Sequence, residues 1–583
     1  MSNMYVNEDK LPSLPIPELS GTKKKLLEWL APILTEEQFA SSKEKIDTFF
    51  AANGDGETLQ TKLKAWDNNL EGSWLKPLWD DVYLMHRDSL PISSNFNVLL
   101  ESIGENINLA ETIAKIGILT ANYYHDITDE KIEPELMRGQ ALDMGQYKNF
   151  FRSVRIPQKN RDDFYIAPYT KENNYLVALY RNHLLKVTIT DEDGKLYDSV
   201  ALASNIQAAM DEVKETAANG TVFTAADRET AAEVYNLLRE STHNKQLLDM
   251  IADALLIVSI DETSRSSVES IRSLMTSTDN KYFDKTVQIM LTKHGEIGFN
   301  MEHATIDGTS ISSFIGYISK HLRENEQYEG SKTVATVNAF VWDLNKEMQA
   351  ALQEVAATYT PLQENIALLF EQFTDFGAAA IKEMKLSPDG FFHMALQLAY
   401  FRTYGKFDSV YEPVAVRTFK EGRTECARAT STEKTAVVQA VEAGQVSNED
   451  IYVLMEQASA AHADRLRQAQ QGLGVERHLF GLEQMYHRFK DELGIEALPA
   501  LFTDEGYKKL RHDSLSTSGM VYRNAIARMF APTVSDGHGV AYIMTEDVIT
   551  ISISSFRHNE EKGAQLKDEM IKALKELATI ARK

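Results

Sequence analysis

The stretch FNMEHATIDGTS, residues 299–310, sets an imidazole and a carboxylate four positions apart, His303 and Asp307. Ile297, Phe299, Met301 and His303 alternate along one face of an expected strand, so the imidazole falls where that strand ends and the Asp-Gly pair turns the chain. An imidazole of near-neutral pKa, steadied by a carboxylate, can take a proton from a hydroxyl or a thiol. By itself the pattern leaves open a histidine that is merely packed or solvated. Two other places offer chemistry. Cys426, the single cysteine, is a candidate nucleophile and would make the chain a thiol hydrolase. In IKEMKLSPDGFF, Ser387 can cap a helix whose first residue is Pro388, with Lys382 and Lys385 just ahead. A helix start beside cations suits a phosphate, and ordinary solvated lysines are the alternative.

Groups of this kind need a scaffold, and composition bounds it. At 583 residues the chain exceeds the usual size of one core, so two large units packed around a cleft are expected. With 43% apolar residues, 29 Gly and 14 Pro, it has material for that core and no disordered bias. The 85 acidic against 61 basic side chains give a formal charge of -24, which argues against nucleic acid or an anionic membrane as partner. Any anionic ligand must be caught by local positive groups. A lone cysteine rules out an internal disulfide, fits a reducing compartment and offers no cysteine cluster for zinc. No run of roughly 18 apolar residues is present to span a bilayer. The N-terminus lacks a signal or transit pattern and the last residues, ARK, are not a peroxisomal address, so a cytoplasmic protein is expected.

Helical and strand patterns alternate without a βαβ rhythm, an α/β chain. GTKKKLLEWLAPILTEEQFASSKEKIDTFF and EMQAALQEVAATYTPLQENIALLFEQF carry apolar residues at helical spacing. NYLVALYRNHLLKVTI, KTVQIML and DVITISISSF are β-branched and alternating and predict strands. RDSLPISSN and KLSPDG are the best breakpoints, and no short repeat or Ser/Gly linker is present.

Several longer blocks say more. MKLSPDGFFHMALQLAYFRTYGKFDSVYEPVAVRTFKEGRTECARATS, LGVERHLFGL and LSTSGM closely resemble blocks of the choline/carnitine acyltransferase family. So do DKLPSLPIPEL, WLKPLWDDVYLMHRDSLPISSN, KYFDKTVQIMLTKHGEIGFNMEHATIDG and APTVSDGHGVAY, in family order from about residue 10 to residue 560. The resemblance implies a monomer of two chloramphenicol acetyltransferase-like halves with a substrate tunnel between them. One half would be residues 92–345, carrying the catalytic histidine; the other would be residues 1–91 plus 346–583, carrying most substrate contacts. Coenzyme A thioester and carnitine or choline would enter as substrates, with no permanently bound cofactor and no metal.

Taken position by position, the resemblance implies that His303 is a general base for direct attack on the acyl carbonyl, with no acyl-enzyme. Asp307 and Arg423 would pair to hold the histidine loop, and Ser518 would stabilise the oxyanion. Tyr411, Thr424 and Arg477 match a trio that binds the carboxylate of carnitine, which choline lacks, so carnitine is the expected alcohol. Ser516 and Phe530 would also contact carnitine, and Lys382, Lys385, Asp389 and Glu412 coenzyme A. Ala378 replaces a lysine common in relatives and Gly519 a glutamine, which implies altered gripping of coenzyme A. Arg528 falls at the acyl-pocket position, where a large side chain should block long chains. Turned inward, its guanidinium could instead pair with a carboxylated acyl group; turned outward, it would do neither. The implied activity is short-chain carnitine O-acyltransfer, in the context of fatty acid metabolism. Choline acetyltransfer, medium-chain transfer and a non-catalytic coenzyme A- or carnitine-binding relative are the alternatives, and the register gives Cys426 no role.

Overall fold

The computed structural model describes residues 3–105, 107–264, 266–324, 326–520, 522 and 524–582. Among these, the larger sheet has eight strands in the order Asn338–Phe340, His183–Thr188, Tyr175–Tyr180, Ile257–Asp261, Val287–Thr292, Ile297–Met301, Phe96–Leu100 and Ala525–Met529. A five-stranded sheet runs Ile366–Phe373, Ile549–Phe556, His538–Met544, Leu515–Gly519 and Val410–Tyr411. The large sheet buries Val98, Phe299 and Met301 against the helices Leu109–Thr128 and Gly308–Arg323. The smaller sheet packs Val540, Ile551 and Ile553 on the helices Pro388–Tyr404 and Glu560–Ala581. A third core joins the N-terminal helices to Glu476–Leu493 through Leu63, Trp74, Leu479 and Leu482. No helix among the described residues is long and apolar enough to cross a membrane.

The mixed α/β class is as expected; two segments divide more finely than periodicity showed, and two further local readings are corrected. NYLVALYRNHLLKVTI is a hairpin of two strands, because Arg181 and Asn182 both take positive φ, the geometry of a tight two-residue turn. GTKKKLLEWLAPILTEEQFASSKEKIDTFF is two helices, Leu19–Leu30 and Glu36–Phe49, the second opened by a Thr35–Gln38 capping box. The helix Lys346–Glu364 stops short of the apolar run after it, which becomes the edge strand Ile366–Phe373 beside Ile549–Phe556. Asp307-Gly308 makes no hairpin turn: the strand ends at Met301, His303 stands in the loop, and Asp307 is the N-cap position of Gly308–Arg323.

One strand ties the two sheets together. Ala525–Met529 leaves the small-sheet region and pairs with Phe96–Leu100, setting Arg528 opposite Val98. On its other edge Phe96–Leu100 pairs with Ile297–Met301, Phe96 opposite Met301. The strand leading to His303 and the one carrying Arg528 therefore flank a single strand between them.

Candidate active site

The loop that presents His303 is anchored at both ends. Glu302 is fully buried; it accepts from Arg155 Nη1 at 3.1 Å and from the Ala304 amide at 3.1 Å. Arg155 and Arg228 share Asp162, at 2.6 and 2.7 Å, within one buried ionic cluster. At the other end Arg423 grips both oxygens of Asp307, Nε to Oδ2 at 2.7 Å and Nη2 to Oδ1 at 3.2 Å. The same guanidinium donates to the carbonyls of Ala304 at 2.7 Å and His303 at 3.0 Å. Gln146 adds a bond to Asp307 Oδ2 at 2.9 Å and takes the Asp307 amide at 2.8 Å. Burial alone would raise the Asp307 carboxyl, but the Arg423 charge, the neighbouring His303 and the hydrogen bonds from Arg423 and Gln146 together outweigh it and hold the group below the ordinary carboxylate range.

Asp307 does not steady the imidazole directly, which corrects the expected contact. His303 Nδ1 lies 3.8 Å from Asp307 Oδ1, too far for a hydrogen bond, and 2.8 Å from the Ile306 carbonyl, to which it donates. The carbonyl three residues on is nearer than the carboxylate, which Arg423 has already claimed. With its proton on Nδ1, the ring keeps the Nε2 lone pair for other work. Tyr83 and Phe96 rings pack on the imidazole at 5.0 and 4.6 Å between centroids. Burial lowers the His303 pKa, so the ring is neutral at neutral pH.

Across a cavity of about 880 Å³, also lined by His303, stands the strand Leu515–Gly519. Ser516, Thr517 and Ser518 all line this space; the Thr517 hydroxyl is spent donating to the Tyr411 carbonyl at 2.7 Å. Ser518 Oγ accepts from Arg528 Nη2 at 2.9 Å, which leaves the serine proton free to donate. Arg528 is therefore turned inward, 6% exposed, on the cavity wall. Phe530 lies beside it.

The expected trio comes together. Arg477 Nε donates to the Thr424 carbonyl at 2.9 Å and Nη2 to Tyr411 Oη at 3.0 Å. Its guanidinium lies 3.9 Å over Trp79, a contact no motif indicated. Because Tyr411 accepts from Arg477, its own O–H is left to donate, and an anion placed here meets hydroxyls and a cation together. Cys426 is fully buried behind Thr424, where burial pushes its thiol up and makes it inert.

Asp389 and Glu412 line the same cavity, while Lys382 and Lys385 stand exposed outside its wall. Ser387 caps the helix Pro388–Tyr404 as expected, accepting from the Gly390 amide at 3.3 Å. Asp389 accepts from His462 Nε2 at 2.8 Å and from Tyr542 Oη. These two residues, with His393 and Glu412, bring one donor atom each of Asp389, His393, Glu412 and His462 within 4.8 Å of one another. A cation there would face Lys434, whose Nζ is 2.9 Å from His462 Nδ1, so the donor set suits hydrogen bonding better than metal. Tyr542 also explains Gly519: the two are register partners, and a Cβ on Gly519 would fall within the tyrosine ring. Tyr542 fills the space beside Gly519, stacked on Phe392 at 3.9 Å.

Comparison with known proteins agrees with this layout. A family model described as Choline/Carnitine o-acyltransferase matches residues 14–576. The chain belongs to the choline/carnitine acyltransferase family. Relatives in this family include carnitine O-acetyltransferase of Columba livia, 27% identical over 99% of this chain and 94% of the relative. Choline O-acetyltransferase of Danio rerio is 27% identical over 98% of this chain and 93% of its own length. Mitochondrial carnitine O-palmitoyltransferase 2 of Mus musculus is 26% identical over 94% and 89%. Choline/carnitine acyltransferases of three different names thus match at nearly one level of identity, so identity leaves the alcohol and the acyl length to be argued from this chain's own residues.

Proposed function

We propose that this acyltransferase exchanges a short acyl group between coenzyme A and the hydroxyl of carnitine. The observation that carries the reading is that Tyr411 and Thr424 line the cavity that His303 and Ser518 also line, with the buried Arg477 guanidinium directly behind and bonded to both. Carnitine's carboxylate is the anion such a cluster would take, whereas choline would leave the buried guanidinium without one. The Phe530 ring offers a face to the trimethylammonium group. His303 Nε2 accepts the hydroxyl proton as the oxygen attacks the thioester carbonyl. Ser518 donates to the oxyanion that forms, and the C–S bond breaks as the thiolate departs and recovers the proton from His303. Asp389 and Glu412 are placed to meet coenzyme A, which arrives as substrate. The reading takes the chain to act as a monomer in the cytoplasm.

The test is thiol release from a series of acyl-coenzyme A thioesters with carnitine and choline in turn. Release with carnitine, strongest for acyl groups of about two to four carbons, is expected, because Arg528 occupies the acyl side of Ser518. Preference for choline, or efficient palmitoyl transfer, would overturn the reading.

A further inference from the structure

Arg528 is a buried cation without a buried anion. Its Nη1 and Nη2 donate to the carbonyl and hydroxyl of Ser518, each at 2.9 Å, and its Nε is buried with no partner. Among the described residues no carboxylate lies within ion-pair distance; its other neighbour is the ring of Tyr522, 5.4 Å from the guanidinium carbon. The cavity's own acids are engaged elsewhere. Asp307 is held by Arg423, Asp513 by Arg428 at 2.5 Å, Asp389 by His462 and Tyr542, and Glu412 lies 3.5 Å from His393. A charge taken out of water without a counter-charge is costly; nearby, Arg423 and Arg428 have carboxylate partners and Arg465 has carbonyl acceptors, while Arg477, which also lacks an ion-paired carboxylate, is the cation that the proposed function gives to carnitine. Arg528 lacks this in a wall that substrate must touch. The partnerless Nε–H and the second N–H of Nη2 remain, side by side, the fork that matches a carboxylate.

Position says which end of the substrate this is. Ser518 meets the reacting carbonyl in the proposed function, on which this inference rests. Arg528 stands beyond Ser518 and on the same sheet face as Phe96, whose ring packs on His303. The carnitine trio lies elsewhere on the wall, so a group at Arg528 belongs to the acyl chain. We infer that the preferred acyl donor is a short dicarboxylic thioester, its free carboxylate received by the Arg528 fork while its thioester carbonyl lies at Ser518. Arg528 is thus a specificity-determining residue: a neutral chain leaves its charge uncompensated, and a carboxylate supplies the missing partner. A chain too long to end at Arg528 is excluded by the same side chain.

Calorimetric binding of malonyl-, succinyl- and butyryl-coenzyme A to the whole chain tests this without requiring turnover. At least one dicarboxylic thioester should bind roughly tenfold to a hundredfold more tightly than butyryl, the usual worth of a charge-assisted hydrogen bond. Arg528→Met should abolish that ratio, and Arg528→Lys should retain part of it. Butyryl binding as tight as either dicarboxylic thioester in the wild type, or a ratio that survives in Arg528→Met, would overturn the inference. Because wild-type binding is compared within one protein, misfolding of a variant cannot rescue or sink it. Thiol release with carnitine is scored separately: transfer of butyryl without any dicarboxylic preference defeats the inference alone, and dicarboxylic binding without transfer to carnitine defeats only the proposed function.

Discussion

At the scale of single residues, two groups carry most of the argument. His303 has its proton on Nδ1, bonded to the Ile306 carbonyl, and burial lowers its pKa from the usual value of about 6.5. A base must be neutral to act, so transfer to carnitine should hold level through neutrality and fall only as pH drops through a value below about 6.5. Asp307 opposes that lowering, so Asp307→Asn should move the acid limb to still lower pH. A limb at or above pH 7 in a pH–rate profile would contradict the assignment. Removing the base altogether, by His303→Ala, should cost roughly a hundredfold to ten-thousandfold in kcat with KM little changed. Arg477→Asn with Thr424→Val removes a charged donor and a hydroxyl, each charged bond being worth about 1.5–3 kcal/mol. Carnitine kcat/KM should fall by about tenfold to a hundredfold or more and choline kcat/KM far less; equal losses would show that these residues do not read a carboxylate. The histidine, the serines and the trio were legible through the blocks that resemble the family. Tyr83, Gln146, Trp79 and Tyr542 were not, because the resemblance gave them no role and each meets the site through a contact more than 150 residues away.

At the scale of elements, the histidine loop and the Gly519 strand are where packing sets chemistry. Arg423 joins Asp307 to two carbonyls of the loop, so Arg423→Gln should leave a buried carboxylate unpaired and cost on the order of 3–5 kcal/mol, read as a lower denaturation midpoint. A fall below about 1 kcal/mol would show the tie to be dispensable. On the neighbouring wall, Gly519→Gln should destabilise by about 1–3 kcal/mol, because its Cβ meets the Tyr542 ring, and Tyr542→Val in the same chain should restore much of it. Additive losses in the double variant would separate the two positions. The sequence marked Gly519 as a departure but held no sign of its partner, since register between strands separated by more than twenty residues is a tertiary fact. Periodicity likewise ran helix and strand together across residues 347–373, where the change from one period to the other falls within an unbroken apolar pattern.

At the scale of the whole molecule, Ala525–Met529 makes one body of two sheets, bonding its backbone to Phe96–Leu100 while its neighbours belong to the smaller sheet. That crossing strand was invisible to composition and periodicity, though the two-unit α/β class was not. Its consequence is that one cavity of about 880 Å³ is lined by His303, Ser518, Tyr411, Thr424, and Asp389 with Glu412, Arg477 lying just behind Tyr411 and Thr424. On the proposed function, both substrates would occupy the site together and the acyl group would pass directly between them. Initial-velocity kinetics with acetyl-coenzyme A and carnitine test this most directly. The account predicts double-reciprocal lines that intersect, and no stoichiometric burst of thiol when carnitine is left out; parallel lines accompanied by such a burst would establish an acyl-enzyme and contradict it.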